Sequence, residues 1–293
     1  MCNKRQQRPR FFYRKGKTPF GLDPAKLDHC RSDGKHFETK DEIERWTKNH
    51  AEVLGNLRNG AARQLRDRLL ACVHDDETCG LTVCPACMAR YRRWFTAQLS
   101  AIYLALDRKM KYVTIILAMV EPGQLASLRL DRLHRTLRMQ FDRAGHSAGI
   151  AIGGTEIGWK QGQRLWAVHV HLCVSGWTPD VEQEVERLLG NPRSVKAMSI
   201  QDPLEVLTYC QKFGLTHHPG SRTGEERGRC FPLPVPQGVE LASYMISHRP
   251  EDFLFCRQAS RSGQRIRLYD PVLDARVRAV LENPFATLFE MTT

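Results

Sequence analysis

An α+β fold, an antiparallel central sheet with helices packed on one side and a small cysteine-bearing module ahead of it, is predicted by three features of this 293-residue sequence. The first is a set of short apolar or β-branched runs, KYVTIILAMV (111–120), GIAIGGTEIGW (149–159), LWAVHVHLCVSG (165–176) and SVKAMSI (194–200), each of strand length. The second is their order with the helical segments: strand, helix, strand, strand, helix, strand, helix. The third is a group of four cysteines between residues 72 and 87, before the first strand.

The elements follow from local pattern. The first seventeen residues hold seven Lys or Arg and no acid, which makes an arm suited to tracking a phosphate backbone. ETKDEIERWTKNHAEVLGNLRNGAARQLRDRLLAC is helical by propensity. The first strand, 111–120, is almost wholly apolar and reads as central. PGQLASLRLDRLHRTLRMQFDRAG places Leu125, Leu128, Leu133, Leu137 and Phe141 at helical spacing, with Gly145 as the stop. Strand 149–159 contains glycines that mark a bulge or a close approach. Gly162 and Gln163 then form a two-residue hairpin loop, which pairs Gln161 with Arg164, Trp159 with Trp166 and Glu156 with His169. After the hairpin, Thr178 caps a helix with Pro179 in its first turn and Gly190 at its end. Asp202, Pro203 and Gly214 delimit a last core helix over 202–214. Downstream, THHPGSRTGEERGRC is a loop, with His217 and His218 as loop histidines, and FPLPVPQG (231–238) is extended. ELASYMISHRP, with Tyr244 in the core, and DARVRAVLENPFATLF are helical.

Two groups of residues carry chemistry. In LWAVHVHLCVSG the side chains of His169 and His171 project to the same side, because strand residues two apart share a face. The hairpin register sets Glu156 beside them. Two imidazoles and a carboxylate hold a divalent ion and leave coordination positions open, a donor set suited to Mg2+ or Mn2+. On the helix 202–214, Tyr209 and Lys212 lie three apart and Glu205 lies four before Tyr209, so the three share one helical face. The second group is CVHDDETCGLTVCPACMARYRRWF (72–95). Cys84 and Cys87 form a CxxC knuckle, Cys79 adds a third thiolate, and Cys72 or His74 completes a tetrahedral Zn2+ site. Arg90, Arg92 and Arg93 follow, interleaved with Tyr91 and Trp94, a pattern suited to phosphate contact and base stacking.

The apolar His-x-His strand followed by a Tyr-x-x-Lys helix resembles the HUH endonucleases, the single-strand DNA nickases of rolling-circle replication, conjugation and some transposition. Within them the chain is most similar to the single-tyrosine initiators of rolling-circle plasmids, which also carry a cysteine cluster ahead of the nuclease core. The resemblance covers residues 70–214. It implies that Glu156 is the third metal ligand, Tyr209 the nucleophile that forms a 5′-phosphotyrosine, and Lys212 a group that orients the phosphate or lowers the phenol pKa. Two-tyrosine members carry a second tyrosine where this chain has Glu205, whose carboxylate can instead activate water to end a replication cycle. The implied partners are single-stranded and duplex origin DNA together with a host helicase and polymerase.

Composition agrees. Lys and Arg number 44 against 32 acidic residues, a net charge of +12, which favours a polyanionic partner. No apolar run is long enough to span a membrane and no signal-peptide pattern opens the sequence, so a cytoplasmic, DNA-associated protein is expected. Ten cysteines with metal-type spacing fit a reducing compartment. The reading divides the chain into a basic arm and helical region (1–70), a zinc-binding module (71–95), an endonuclease core (96–214) and a C-terminal loop and helical region (215–293). Three rivals remain. A histidine-triad hydrolase should carry His where Cys173 stands, a zinc-containing nucleic-acid-binding protein would leave the histidines structural, and a single-tyrosine transposase shares the site chemistry.

Overall fold

The computed structural model describes residues 37–55, 60–74, 79–190, 194–211, 215–217, 231–263 and 265–282. The basic arm, Lys212 and most of the loop after it lie outside these residues, as does the side chain of His74. The described chain is α+β. Helices α1 (Lys40–Gly55), α2 (Gly60–His74) and α3 (Pro85–Ala105) precede strand β1 (Met110–Val120). Then come α4 (Leu130–Arg143), β2 (Ala151–Lys160), β3 (Leu165–Ser175), α5 (Pro179–Leu189), β4 (Val195–Ser199) and α6 (Pro203–Tyr209). This is the order that the strand and helix patterns predict.

Strands β1, β2, β3 and β4 join β7 (Leu254–Arg257) in one antiparallel sheet of order β4-β1-β3-β2-β7. The rest of the C-terminal region is a two-residue pair, β5 (Thr216–His217) with β6 (Phe231–Pro232), followed by α7 (Val235–Ile246), the hairpin β8 (Ala259–Ser262) with β9 (Arg265–Leu268), and α8 (Pro271–Glu282). His217 thus lies in a short strand, whereas His218 falls outside the described residues.

Helices cover both faces of the sheet, not one. Val113, Ile115, Val170, Leu172, Val174 and Phe255 pack against Leu137 and Phe141 of α4 and Val185 of α5. Tyr112, Ile152 and Cys173 project to the opposite face and join a core with α3, α6 and α7. The reason is visible in the central strands, where β3 is apolar on both sides except at its two histidines, and two apolar faces each need a cover.

Three other expectations are corrected. The segment before α4 is a 3-10 turn, Leu125–Ser127, and the helix begins only at Leu130 after an extended Arg129. Leu125 and Leu128 are spaced helically, yet they dock on α7: Glu240 accepts from the Leu125 N–H, and Tyr244 donates to the Leu128 carbonyl. The segment expected to be extended over 231–238 becomes helical at Val235, with Pro236 in the first turn, where its missing N–H costs nothing. The β2–β3 turn keeps the predicted register, Trp159 opposite Trp166 and Glu156 opposite His169, but spans Gln161–Arg164 as consecutive turns. Arg164, and not Gly162, takes the left-handed conformation (φ 53°). The sequence reading did not foresee β7, β8 or β9.

Candidate functional site

The site lies at the middle of the sheet. Thr114 of β1 pairs with His171 of β3, and His171 with Gly154 of β2. One step along, Ile116 pairs with His169 and His169 with Glu156. Directly opposed residues share a face, so the three donors converge. Glu156 Oε2 lies 3.0 Å from His171 Nε2 and 3.2 Å from His169 Nε2, and the imidazoles stand nearly perpendicular, 86° apart. The donor atoms lie within 4.8 Å of one another. Two donors at right angles and about 2.1 Å from one ion stand about 3.0 Å apart, so this arrangement can hold a metal ion with little movement. Burial alone would raise the Glu156 carboxyl, but hydrogen bonds from His169 and His171 outweigh it and hold the group well below its usual range.

Backbone detail sharpens this geometry. β1 bulges between Ile116 and Ala118, beside His169. A bulge at that point bends the strand and re-aims its side chains locally. Gly154 is needed for a different reason. A Cβ there would come within 2.5 Å of the Cys210 carbonyl and 2.4 Å of the Gln211 amide, so glycine lets the end of α6 approach the sheet.

Tyr209 is brought to the histidines by that approach. Its ring meets His171 edge-on at a centroid distance of 5.0 Å, and it is 36% exposed. Asp202 caps α6 by accepting from the Glu205 N–H, as expected. The helix stops at Tyr209, earlier than predicted, because the chain turns inward to bury Cys210 and Gln211. Cys210 Sγ lies 3.7 Å from Cys173 Sγ. Glu205 precedes Tyr209 by one turn and is exposed. The helical-face argument therefore reaches Glu205 and Tyr209, while Lys212 lies outside the described residues.

Two contacts that the sequence reading missed stand behind His171. Tyr112 Oη lies 2.6 Å and Thr114 Oγ1 3.1 Å from its Nδ1. They lie two residues apart on the site's face of β1, in a strand whose one other polar side chain is Lys111, a signal that could have found them. Burial pushes the Tyr112 phenol far above its ordinary pKa, so it is neutral.

The cysteine group is built on helices. Cys72 belongs to α2, Cys84 caps α3 and Cys87 lies in its first turn. The four sulfurs of Cys72, Cys79, Cys84 and Cys87 lie within 4.8 Å of one another. Cys79 Sγ is 3.6 Å and Cys72 Sγ 4.0 Å from Cys87 Sγ. These separations exclude disulfides and match the roughly 3.8 Å expected between thiolates tetrahedrally bound to zinc. Backbone N–H groups of Cys79 and Gly80 donate to Cys72 and Cys87. Cys72 thus completes the group of four. Within it, hydrogen bonding to Cys79 lowers the Cys72 thiol and hydrogen bonding to Cys72 lowers Cys87, while Cys84 is pushed up by the same neighbour.

The arginines that follow serve several ends. Arg92 donates from Nε to the Thr208 carbonyl, 2.8 Å away, and from Nη1 to Glu38. Arg93 donates to the Glu38 carbonyl, and both guanidiniums lie over Phe37. Arg90 is half-buried. Arg92 therefore fastens the residue before Tyr209 to α3, the helix that begins at the cysteines and runs unbroken across the 95/96 boundary.

Compared with protein-family models, curated proteins and solved structures, the chain matches none. Among the described residues, no helix is long and apolar enough to cross a membrane.

Proposed function

We propose that this protein is a metal-dependent single-strand DNA nicking and joining enzyme of the rolling-circle initiator type. One observation carries the reading: a carboxylate oxygen within 3.2 Å of two imidazole nitrogens, with the Tyr209 ring 5.0 Å from one of those imidazoles. A structural histidine pair has no need of a half-exposed phenol beside it. Glu156, His169 and His171 would hold Mg2+ or Mn2+, which would supply Lewis-acid stabilisation of charge on the nonbridging oxygens of the scissile phosphate.

The chain's own residues do the rest. The Tyr209 hydroxyl gives up its proton to solvent as its oxygen attacks phosphorus, the bond to the 3′ oxygen breaks, and that oxygen takes up a proton in turn. Phenolate is a better leaving group than an alkoxide, so the phosphotyrosine keeps the bond energy, and a later 3′ hydroxyl reseals the strand without ATP. Glu205, exposed one turn away, would take a proton from a water whose oxygen attacks the phosphotyrosine, breaking the phosphorus–Tyr209 bond and ending the cycle. Zn2+ on the four cysteines would hold α2 to α3, and the arginines of α3 and the basic arm would add phosphate contacts. The proposed partners are single-stranded and duplex origin DNA, with host helicase and polymerase.

The test uses a 3′-labelled random-sequence single-strand pool with Mn2+. The wild-type chain is expected to acquire label covalently, and Tyr209→Phe to acquire none while unfolding at the same temperature. Undiminished labelling of Tyr209→Phe would remove Tyr209 from the reaction. No labelling of wild type would reject the nickase.

A further inference from the structure

A second concave feature follows the open edge of the sheet. It is a cavity of about 440 Å3 beside β7, and its lining includes Arg138, Glu251, Leu254, Ser260, Arg261 and Tyr269. The lining offers three kinds of contact. Arg138 lies 5.6 Å over the Phe255 ring and pairs with no carboxylate among the described residues. Arg261, in contrast, is 2.7 Å from Glu251 and sits over Trp94. The second Glu251 oxygen, Oε2, is buried with no hydrogen-bond partner, a costly state that a ligand N–H would relieve. At the cavity, Tyr269 is 65% exposed, an aromatic surface with no core function. Cys256 also lines the cavity, but burial pushes its thiol up to about 12, which argues against covalent chemistry there.

The cavity runs along the β7 edge, where Leu254 lies two strands from the histidines while Arg138 stands on α4 at the other face, so a DNA strand joining the two would round that edge. Leu254 pairs with Gly154, and Gly154 with His171. Two interstrand spacings amount to about 10 Å, the rise of about three stacked nucleotides.

We propose that this groove is a subsite for one nucleotide of a single DNA strand: Arg138 receives its phosphate, Tyr269 stacks its base, and Glu251 Oε2 accepts a base N–H. The strand's continuation to Tyr209 rests on the nickase reading, whereas binding in the groove requires no cleavage. Cation, stacking ring and base-edge acceptor together favour a nucleotide over an acidic peptide, which would leave Tyr269 and the Glu251 oxygen unused.

The experiment measures labelled oligo(dC) binding to the full chain by fluorescence anisotropy over a range of salt. Tyr269→Ala is expected to weaken binding about five- to one-hundredfold with the salt slope unchanged. Arg138→Gln should weaken it and reduce the slope by about 0.7, the loss of one phosphate contact, while Arg138→Lys keeps the slope. Unchanged thermal unfolding confirms that each variant is folded. Wild-type affinity in both Tyr269→Ala and Arg138→Gln would overturn the subsite, as would dCMP displacing the oligonucleotide at equal nucleotide concentration, the mark of a free-nucleotide site. The 3′-labelled pool keeps the two readings apart. Loss of oligo(dC) binding in the variants with no wild-type adduct would reject the nickase alone, and a wild-type adduct with unaffected oligo(dC) binding would reject the subsite alone.

Discussion

The two donor groups of this protein differ in the backbone that carries them and in what surrounds them. Four sulfurs sit at the meeting of two helices and the loop between them, with Cys72, Cys84 and Cys87 buried in the same core as Tyr91 and Trp94. Two imidazoles and a carboxylate sit on adjacent strands, with the exposed Tyr209 beside them. Four protein ligands close a tetrahedral ion, and its work is then to hold structure. Three leave positions for a substrate oxygen. The contrast sets four sulfurs that would enclose an ion against three donors that would leave it open, with an exposed phenol beside them. The two regions are nonetheless joined, because α3 starts at one and its Arg92 grips the helix of the other.

The largest expected effect breaks the comparison outright. Replacing Cys84 and Cys87 with Ser should release one tightly held ion and unfold the α2–α3 region, since binding free energy at such sites is folding free energy. His169→Ala with His171→Ala should keep that ion and the fold, and lose labelling by the strand pool. Metal counting by mass spectrometry with thermal unfolding reads both. A single ion lost from both variants would mean that the two groups serve one site.

Next in size is the link between the regions. Arg92 and Glu38 have side chains only 11% and 10% exposed. Arg92→Leu therefore removes a buried cation from beside Glu38 and the donor to Thr208, a loss of roughly 3–5 kcal/mol by comparison with other broken buried pairs. Urea unfolding should register it, and the folded fraction should form the Tyr209 adduct more slowly. Unaltered stability would show that Arg92 is dispensable to α6 and return it to the surface role that its sequence neighbourhood suggested.

That reassignment illustrates what was legible beforehand. Strand and helix order, the caps at Thr178 and Asp202, and the register placing Glu156 opposite His169 follow from local rules of periodicity and turn length, and all are present. The convergence of the cysteines was equally readable, because CxxC spacing is itself a ligand geometry. Nonlocal packing was not. A cation–aromatic run looks the same whether it faces DNA or, like Arg92, an acid 54 residues away. Leu125 and Leu128 continue a helical period but answer to α7, which lies more than a hundred residues on. β7 has only four residues, and nothing in so short a run says which strand it will pair with.

Acid should act on both regions, because burial lowers the pKa of His50, beside Val83 of the cysteine group, as well as that of His134 under the sheet. His134 of α4 is buried beneath the sheet, 2.7 Å from the Thr155 hydroxyl and next to Glu156 in sequence through that threonine. Burial lowers its pKa from 6.5 to about 4. Between those values the unfolded chain binds the extra proton, so stability is full above pH 6.5, falls as pH drops and levels off below about 4. The loss is about 1.4 kcal/mol per pH unit within that window. His134→Gln should flatten the profile by that amount relative to wild type in urea melts, whatever the cysteines contribute to both. Parallel profiles would mean that His134 is protonated in the fold.

The smallest expected effect concerns Tyr112, and it tests whether the open site is tuned by what lies behind its ligands. For His171 Nε2 to hold an ion, the ring proton must sit on Nδ1, where Tyr112 Oη accepts it at 2.6 Å and Thr114 offers a second oxygen at 3.1 Å. Partners of this kind fix a ligand's tautomer, and their loss typically lowers metal affinity ten- to one-hundredfold. With Thr114 still present, Tyr112→Phe should sit near the lower end, about tenfold. The Mn2+ concentration for half-maximal adduct should rise by that factor while the rate at saturating Mn2+ stays close to wild type, and the cysteine-bound ion should be unaffected. A Tyr112→Phe, Thr114→Val double variant should go further, because both of these acceptors are then removed. A fall in the saturating rate with no change in Mn2+ demand would instead place Tyr112 with Tyr209, whose ring it meets edge-on at 6.1 Å, and make its role the positioning of the nucleophile.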